Sequence, residues 1–295
     1  MPVRLGINPI GWTNDDMPEL GADTPLETCL REAREAGYAG IELGRKFPRR
    51  ADELRPILLR HGLSLVSGWH GARLRARSAR EEIEAMQADV ELLENMGCGV
   101  MVFAEESGSV HARREVPRSR RPTLGLDEWP RFGERLTEVA EHLRERGLRL
   151  AYHHHIGTVV ETEEEIDRLM EVAGETVGLL LDTGHLAYAG GSLLRVARRH
   201  ARRLAHVHCK DVRPGVLAEA RRSDRSFLDA VLAGVFTVPG DGVVDYGALL
   251  PVLKAVGYSG WLVVEAEQDP AVANPATYAR LGFLNLSRAA AAAGL

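Results

Sequence analysis

Residues 177–211 read VGLLLDTGHLAYAGGSLLRVARRHARRLAHVHCKD. Two apolar runs in this stretch, VGLLLDT (177–183) and LAHVHCK (204–210), have the length of buried strands. The segment between them is too long for a hairpin and long enough for a crossover helix, so the two strands are expected to run parallel. The same unit recurs along the chain. Further strand candidates are RLGIN (4–8), GIELG (40–44), LSLVSGW (63–69), GVMVFAE (99–105), LRLAYHH (148–154) and WLVVEAE (261–267). Amphipathic segments such as PLETCLREAREAG, EEIEAMQADVELLENMG, WPRFGERLTEVAEHLRERG and EEEIDRLMEVAG lie between them. Their apolar residues recur every three or four positions, and a glycine often supplies the stop. With PATYARLGFLNLSRAAAAAG at the end, the pattern amounts to eight strands and eight helices. Strict alternation at this length predicts an α/β fold, a (β/α)8 TIM barrel forming a single domain over 1–295. A doubly wound open sheet is the competitor, but no strand is followed by its G-x-G-x-x-G turn.

Bulk properties narrow the function classes. The chain is 45% hydrophobic, enough for a sizeable core, and its formal net charge of -5 argues against a nucleic-acid partner. Cys29, Cys98 and Cys209 are widely spaced, which excludes a disulfide framework or a zinc knuckle as the organising device. The opening MPVRLGINPIGW has no basic n-region, and no apolar run approaches the roughly 20 residues of a membrane span. A cytoplasmic protein with no membrane partner is expected; the sequence leaves open whether it is a homo-oligomer. Only Lys46, Lys210 and Lys254 are lysines among 37 basic residues. Arginine stays charged in proteins, whereas lysine titrates when buried, so a rare lysine can mark a site.

Two connections exceed ordinary loop length, 106–128 after the fourth strand and 211–246 after the seventh. Both are βα connections, on the face where barrels carry their active sites. Five arginines within 113–121 read as a solvated loop, with an anion-binding lid as the alternative.

Ionisable residues gather at the C-terminal ends of the later strands. The fifth ends in His153, His154 and His155, and the sixth leads to Asp182 and His185. The seventh carries His206, His208, Lys210 and Asp211; the eighth carries Glu265, Glu267 and Asp269. Period-2 alternation puts His206, His208 and Lys210 on one face, Glu265 and Glu267 on one face, and His153 and His155 opposite His154. The apolar alternates Tyr152, Val207 and Val264 suit the helix side, which leaves the charged set inside the barrel. Burying so many ionisable groups costs several kcal/mol unless they are paired or hold a metal. A His/Asp/His/Glu set on successive strands suits manganese, cobalt, zinc or iron(II). An ion-pair network without metal is the other reading.

LDTGHLAYAGG, HVHCKDV and GWLVVEAEQDP resemble the xylose-isomerase-like TIM-barrel superfamily. Within it, YHHHIGT, FTVPGDGVVDY, VVEAEQDP and GINPIGWTNDD are similar to the inosose dehydratase family of inositol catabolism, a likeness running from residue 4 to about 275. The resemblance implies Asp182, His208 and Glu265 as metal ligands. His153, expected as the fourth ligand, falls where the related epimerases carry a glutamate, which puts two-sided proton transfer by paired glutamates in doubt. It also implies manganese or cobalt as the metal, and glutathione as a requirement, for which the 113–121 loop is a speculative place.

The implied activity is metal-dependent loss of water from 2-keto-myo-inositol (scyllo-inosose), a small cyclic polyol ketone, giving 3D-(3,5/4)-trihydroxycyclohexane-1,2-dione. The chemistry needs a base, an acid and a cation near one another. Lys210 or Glu265 is expected to take the proton, and His155 or His185 to protonate the leaving hydroxyl. A cation beside Lys210 would depress its pKa; the simpler alternative is a pair with Asp211 or Glu267. Candidate substrate contacts are Asn8, Trp12, Glu42, Lys46, Trp69, His70, His206 and Glu267, with a Glu42–Lys46 pair as the bland account. The alternatives to a dehydratase are a sugar or keto-inositol isomerase/epimerase, a non-catalytic polyol-binding barrel and, last, a trinuclear-zinc nuclease, for which only His70 and His111 are available on the earlier strands.

Overall fold

The inward and outward faces of the strands dictate the architecture. The computed structural model describes residues 3–295. Its main sheet comprises β1 (Arg4–Ile7), β2 (Gly40–Ile41), β3 (Ser64–Leu65), β4 (Trp69–Ala72), β5 (Val100–Glu105), β6 (Arg149–His153), β7 (Gly178–Asp182), β8 (Leu204–Cys209) and, last in the chain, Trp261–Val264. A two-stranded ribbon, β9 (Asp211–Val212) with β10 (Phe236–Thr237), precedes that last strand, which is therefore β11. All pairings in the main sheet are parallel, and β1 lies against β11 with Arg4 opposite Trp261 and Ile7 opposite Val264. β3 and β4 are two halves of the expected third strand, which runs on to Ala72 instead of ending at Trp69. Val66 packs in the lower lumen and the next residue, Ser67, also turns inward to Glu42, so alternation slips and the strand breaks. The gap stays bridged on both sides. Ser67 O accepts from Leu43 N–H and Gly68 O from Val102 N–H, each at 3.0 Å, which completes an eight-position barrel.

The lumen is filled in layers. Trp261, Val66 and Val263 plug the bottom, and a Cβ on Gly40 would lie 2.7 Å from both Trp261 and Val66. Above them sit Val102, Ala151, Leu180 and Ala205, the last on a bulge that shifts the β7–β8 register. The opposite faces, including Tyr152, Val207, Cys209 and Val264, join the large core under the helices. Ionisable groups therefore find room only at the top.

The outer layer consists of α1 (Leu26–Ala36), α2 (Ala51–Arg60), α3 (Ala79–Ala85), α4 (Gln87–Met96), α5 (Trp129–Glu145), α6 (Glu163–Val172), α8 (Leu193–Arg199), α11 (Tyr246–Ala255) and α12 (Pro275–Ala293). The expected single helix after the third strand is broken at buried Met86 into α3 and α4. Ser78 and Thr162 open α3 and α6 with capping boxes to Glu81 and Glu165. The remaining helices, α7 (Thr183–Ala189), α9 (Pro214–Arg222) and α10 (Phe227–Leu232), belong to the top face. The 211–246 connection is thus a structured cap, with its own apolar cluster of Met17, Ile156, Tyr188, Val212, Phe227 and Phe236 among others. The 106–128 connection is a strap tied to that cap: Ser119 N–H and Oγ donate to Asp224, and Arg114 Nε donates to Asp229 Oδ1. Arg118 and Arg121 pair with buried Glu161, so three of the five loop arginines are paired with carboxylates of the protein itself. Among the described residues no helix is long and apolar enough to cross a membrane.

His70 shows how the outer face is stapled. It points away from the lumen, correcting its expected place as a substrate contact, with Nε2 2.9 Å from Glu82 of α3 and Nδ1 2.8 Å from Asp89 of α4. Burial alone would lower its pKa, but the Asp89 and Glu82 carboxylates outweigh that and raise it to about 9. A raised histidine stabilises fully below its unfolded value of about 6.5 and loses that contribution as pH climbs through 9. His70→Gln is expected to cost roughly 3 kcal/mol at pH 6, with the deficit shrinking steadily towards pH 9. Denaturant melts across that window test it, and a deficit independent of pH would refute the ion-pair account.

Candidate active site and metal centre

Four strand ends converge on one point. His153 ends β6, Asp182 ends β7, His208 lies near the end of β8 and Glu265 follows β11. Asp182 Oδ2 is 3.6 Å from His153 Nε2 and 3.5 Å from His208 Nδ1, and Glu265 Oε2 is 3.0 Å from His208 Nδ1. All four residues are buried. Asp182 Oδ2, His208 Nδ1 and Glu265 Oε2 nonetheless have no aligned hydrogen-bond partner. Buried polar atoms left this way are costly, and here they face one another. Two imidazole nitrogens and two carboxylate oxygens within ligand reach fit a divalent cation of the manganese, cobalt, zinc or iron class.

The DTGH motif builds this corner locally. Asp182 caps α7 by accepting the His185 N–H through Oδ1 at 2.7 Å, which turns Oδ2 towards the cluster. Thr183 Oγ1 donates to the Lys210 carbonyl at 2.6 Å and accepts the Lys210 N–H at 2.9 Å, locking β7 to β8. A Cβ on Gly184 would come within 2.5 Å of the Lys210 side chain, so glycine leaves room for the lysine. The triple histidine divides its duties. His153 Nδ1 donates to the His154 carbonyl at 2.7 Å, leaving Nε2 for the cluster, and His154 Nε2 accepts the Asp182 N–H at 3.2 Å. His155 Nδ1 donates to the Ile156 carbonyl at 2.8 Å, so its Nε2 lone pair looks into the cavity.

Beside the first cluster lies a second, of His155, His185 and Glu267. Lys210 joins the two. Its Nζ is 2.7 Å from Glu267, 2.8 Å from Glu265, 2.9 Å from His185 Nε2 and 3.6 Å from Asp182. Burial alone would lower the lysine pKa, yet Asp182, Glu265 and Glu267 hold it above the ordinary value. Of the two pairings expected for Lys210, the one with Glu267 forms and the one with Asp211 does not. Asp211 instead accepts N–H groups of Val212, Gly240 and Val244 and anchors the cap. Glu265 is held down at about 2, because His208 and Lys210 outweigh its burial. Burial, with Glu267 opposing, lowers His155 to about 4. Phe227 lies against both His155 and His185, and Lys210 Nζ sits 4.9 Å over Phe236, so the cap supplies the dry wall of this cluster.

The cavity above these groups spans about 630 Å³ including its open mouth. Asn8, Glu42, Trp69, His153, His155, His208, Glu265 and Glu267 line it. Trp69 stands edge-on to His153, with Nε1 donating to Glu106 Oε1 at 2.8 Å. Trp12, Lys46 and His206 do not reach the cavity. Trp12 Nε1 is held by Glu32, and Lys46 donates to the carbonyls of Gly21, Ala22 and Thr24 instead of pairing with Glu42. His206 is consumed by Glu42 at 2.9 Å. The sequence reading missed Asp15, Asp16, Glu106 and His111, which complete the rim. Asn14 Oδ1 accepts the N–H groups of Asp16 and Met17, an Asx turn that aims the two aspartates inward. Asp and Asn within NDD are the turn signal that was available. Burial raises Asp16 to about 6, with His111 opposing.

Residues 30–286 match the family model described as xylose isomerase-like TIM barrel. The chain is 54% identical over 294 residues to the rhizopine catabolism protein MocC of Rhizobium meliloti, covering 100% of this chain and 90% of the relative. It is 47% identical over 279 residues to the inosose dehydratase of Geobacillus thermodenitrificans, covering 94% of each. Among solved structures, the IOLI protein with a binding zinc atom superposes with a TM-score of 0.65 at 16% identity, over 99% of this chain and 98% of that one, a likeness of fold.

Removing one donor from the first cluster is expected to abolish cation binding there, while the second cluster is dispensable for it. Asp182→Asn should weaken cobalt(II) or manganese(II) binding by more than about 100-fold, and His155→Asn by no more than about threefold. Equilibrium dialysis decides between them, and equal losses in both would place the cation elsewhere.

Proposed function

Because the chain belongs to the xylose isomerase-like TIM-barrel family, in the group that unites inosose dehydratases with the rhizopine catabolism protein, we propose that it is a hydro-lyase of inositol catabolism. Its substrate is 2-keto-myo-inositol and its product 3D-(3,5/4)-trihydroxycyclohexane-1,2-dione. The observation that carries this reading is the juxtaposition of the His153, Asp182, His208 and Glu265 donor atoms, all within ligand reach of one another, with the acid/base cluster of His155, Glu267 and Lys210 under one cavity. His153, Asp182, His208 and Glu265 would hold the cation, which we propose to be manganese or cobalt; when bound it supplies Lewis acidity for a ketone oxygen. The reaction is assigned to the cytoplasm.

The groups of this chain account for the proton movements. Loss of water breaks a C–H bond beside the ketone and a C–O bond on the next carbon. The departing hydroxide needs a proton, and the resulting enol takes one up on carbon while giving up its O–H proton to become the dione. His155 is neutral near pH 7, and its Nδ1–H is committed to Ile156, so Nε2 is an acceptor facing the substrate space. We assign it the base. Lys210 carries a proton 2.7 Å from Glu267, whose side chain lines the cavity, and this pair provides a route for that proton to the leaving hydroxyl. The assignment reverses the order expected from the sequence, because the lysine sits among three carboxylates and the histidine is buried against other imidazoles and Phe227. Trp69 and Phe227 limit water around the ring.

Incubation with 2-keto-myo-inositol and manganese should yield a product lighter by one water in mass spectrometry, absent when EDTA is present. A product of unchanged mass would move the reading to an isomerase, and no product would refute the substrate. His155→Gln and Lys210→Met are each expected to lower kcat by at least about 100-fold. Near-normal turnover in either variant would remove that residue from the scheme.

A further inference from the structure

Glu42 looks at first like a substrate contact on the cavity floor, but both of its oxygens are already engaged. Oε1 accepts from Ser67 Oγ at 2.6 Å, His206 Nε2 at 2.9 Å and His208 Nε2 at 3.2 Å. Oε2 accepts from Asn8 Nδ2 at 2.7 Å. The carboxylate follows β2, and its four donors come from β1, the break in the third strand, and β8. It lines the cavity floor but is 3% exposed, with both oxygens engaged by these four donors. His208 is the one donor that also belongs to the proposed cation site. With Nε2–H held by Glu42, its ring is oriented so that Nδ1 points at Asp182 and Glu265, where it has no aligned partner.

We infer that Glu42 is a positioning residue for the metal ligand His208, setting its tautomer and ring orientation, and that His206 in turn steadies Glu42. This rests on the cation-site reading above. A carboxylate on the far nitrogen of a ligating imidazole both orients the ring and raises its basicity. Glu42, His206 and His208 also lie close enough to suggest a second cation. The hydrogen bonds argue otherwise: Ser67 and Asn8 already donate to the same carboxylate, and a cation would have to displace these partners.

Glutamine is the informative replacement. Its amide oxygen can face Ser67, His206 and His208, but its NH2 group then meets Asn8 Nδ2. Asn8 cannot turn over freely, because its Oδ1 accepts the Ile10 N–H at 2.9 Å and caps the turn after β1. Glu42→Gln is expected to weaken cobalt(II) binding by about 10- to 100-fold and to shift the visible cobalt absorption band, with a stoichiometry near one per chain in the unaltered protein. The apo proteins should have similar circular dichroism. His206→Gln, which keeps the Glu42–His208 contact, should lose only a few fold in affinity. It remains informative if Glu42→Gln does not fold. Unchanged affinity and an unchanged band in the variants would overturn the assignment of Glu42. Two cobalt ions per unaltered chain, one lost in Glu42→Gln, would overturn it by making Glu42 a ligand. Failure of the unaltered protein to bind cobalt at all would instead sink the cation-site reading on which the assignment depends.

Discussion

The compensation of buried charge at the top of the barrel is the constraint on which the rest of the site depends. Glu42, Asp182, Glu265 and Glu267 are nearly or fully removed from water, as are His208 and Lys210. Transfer of each ion from water costs several kcal/mol after relaxation, so neither the carboxylates nor the cations are tolerable alone. They are arranged to neutralise one another. Lys210 lies among Asp182, Glu265 and Glu267, and His208 lies among Glu42, Asp182 and Glu265. This interlocking explains why Asp182, Glu42 and Glu265 are held as carboxylates despite their burial.

The scaffold makes that arrangement affordable by concentrating it. The lower lumen is closed by Trp261, Val66 and Val263 and by a layer of small apolar side chains. Inward positions on β6, β7 and β11 turn polar only on reaching the end of the strand, and those on β8 turn polar from His206 upward. The cap then covers the site with Phe227 and Phe236, while the strap holds the cap through Ser119, Arg114 and the Arg118–Glu161 pair. Exclusion of water strengthens each electrostatic contact beneath. The long connections therefore contribute to the chemistry by setting its dielectric environment, and the arginine-rich segment acts as a fastener.

Much of the site was legible because strands have a period of two. Tyr152, Val207 and Val264 identify the helix side, and the alternates His153, His208 and Glu265 must then face inward. The same logic failed where the chain departs from regular strand or where a side chain turns back. Trp12, Lys46 and His70 sit near the ends of early strands, yet Glu32, three carbonyls, and the Glu82–Asp89 pair draw them away. Asp15, Asp16 and His111 lie on connections, where no periodicity assigns a direction.

By itself the sequence determined the βα alternation and the inward face of each late strand, because each follows from local periodicity and residue type; the candidate ligands came from the family resemblance. Tertiary structure alone decided which ionisable groups stand beside one another. Three carboxylates from two other strands surround Lys210, and Ile156 takes the His155 Nδ1–H while burial disfavours the charged form of that ring. Charge states in a buried site depend on neighbours distant in the chain, and those distances exist only once the barrel has closed.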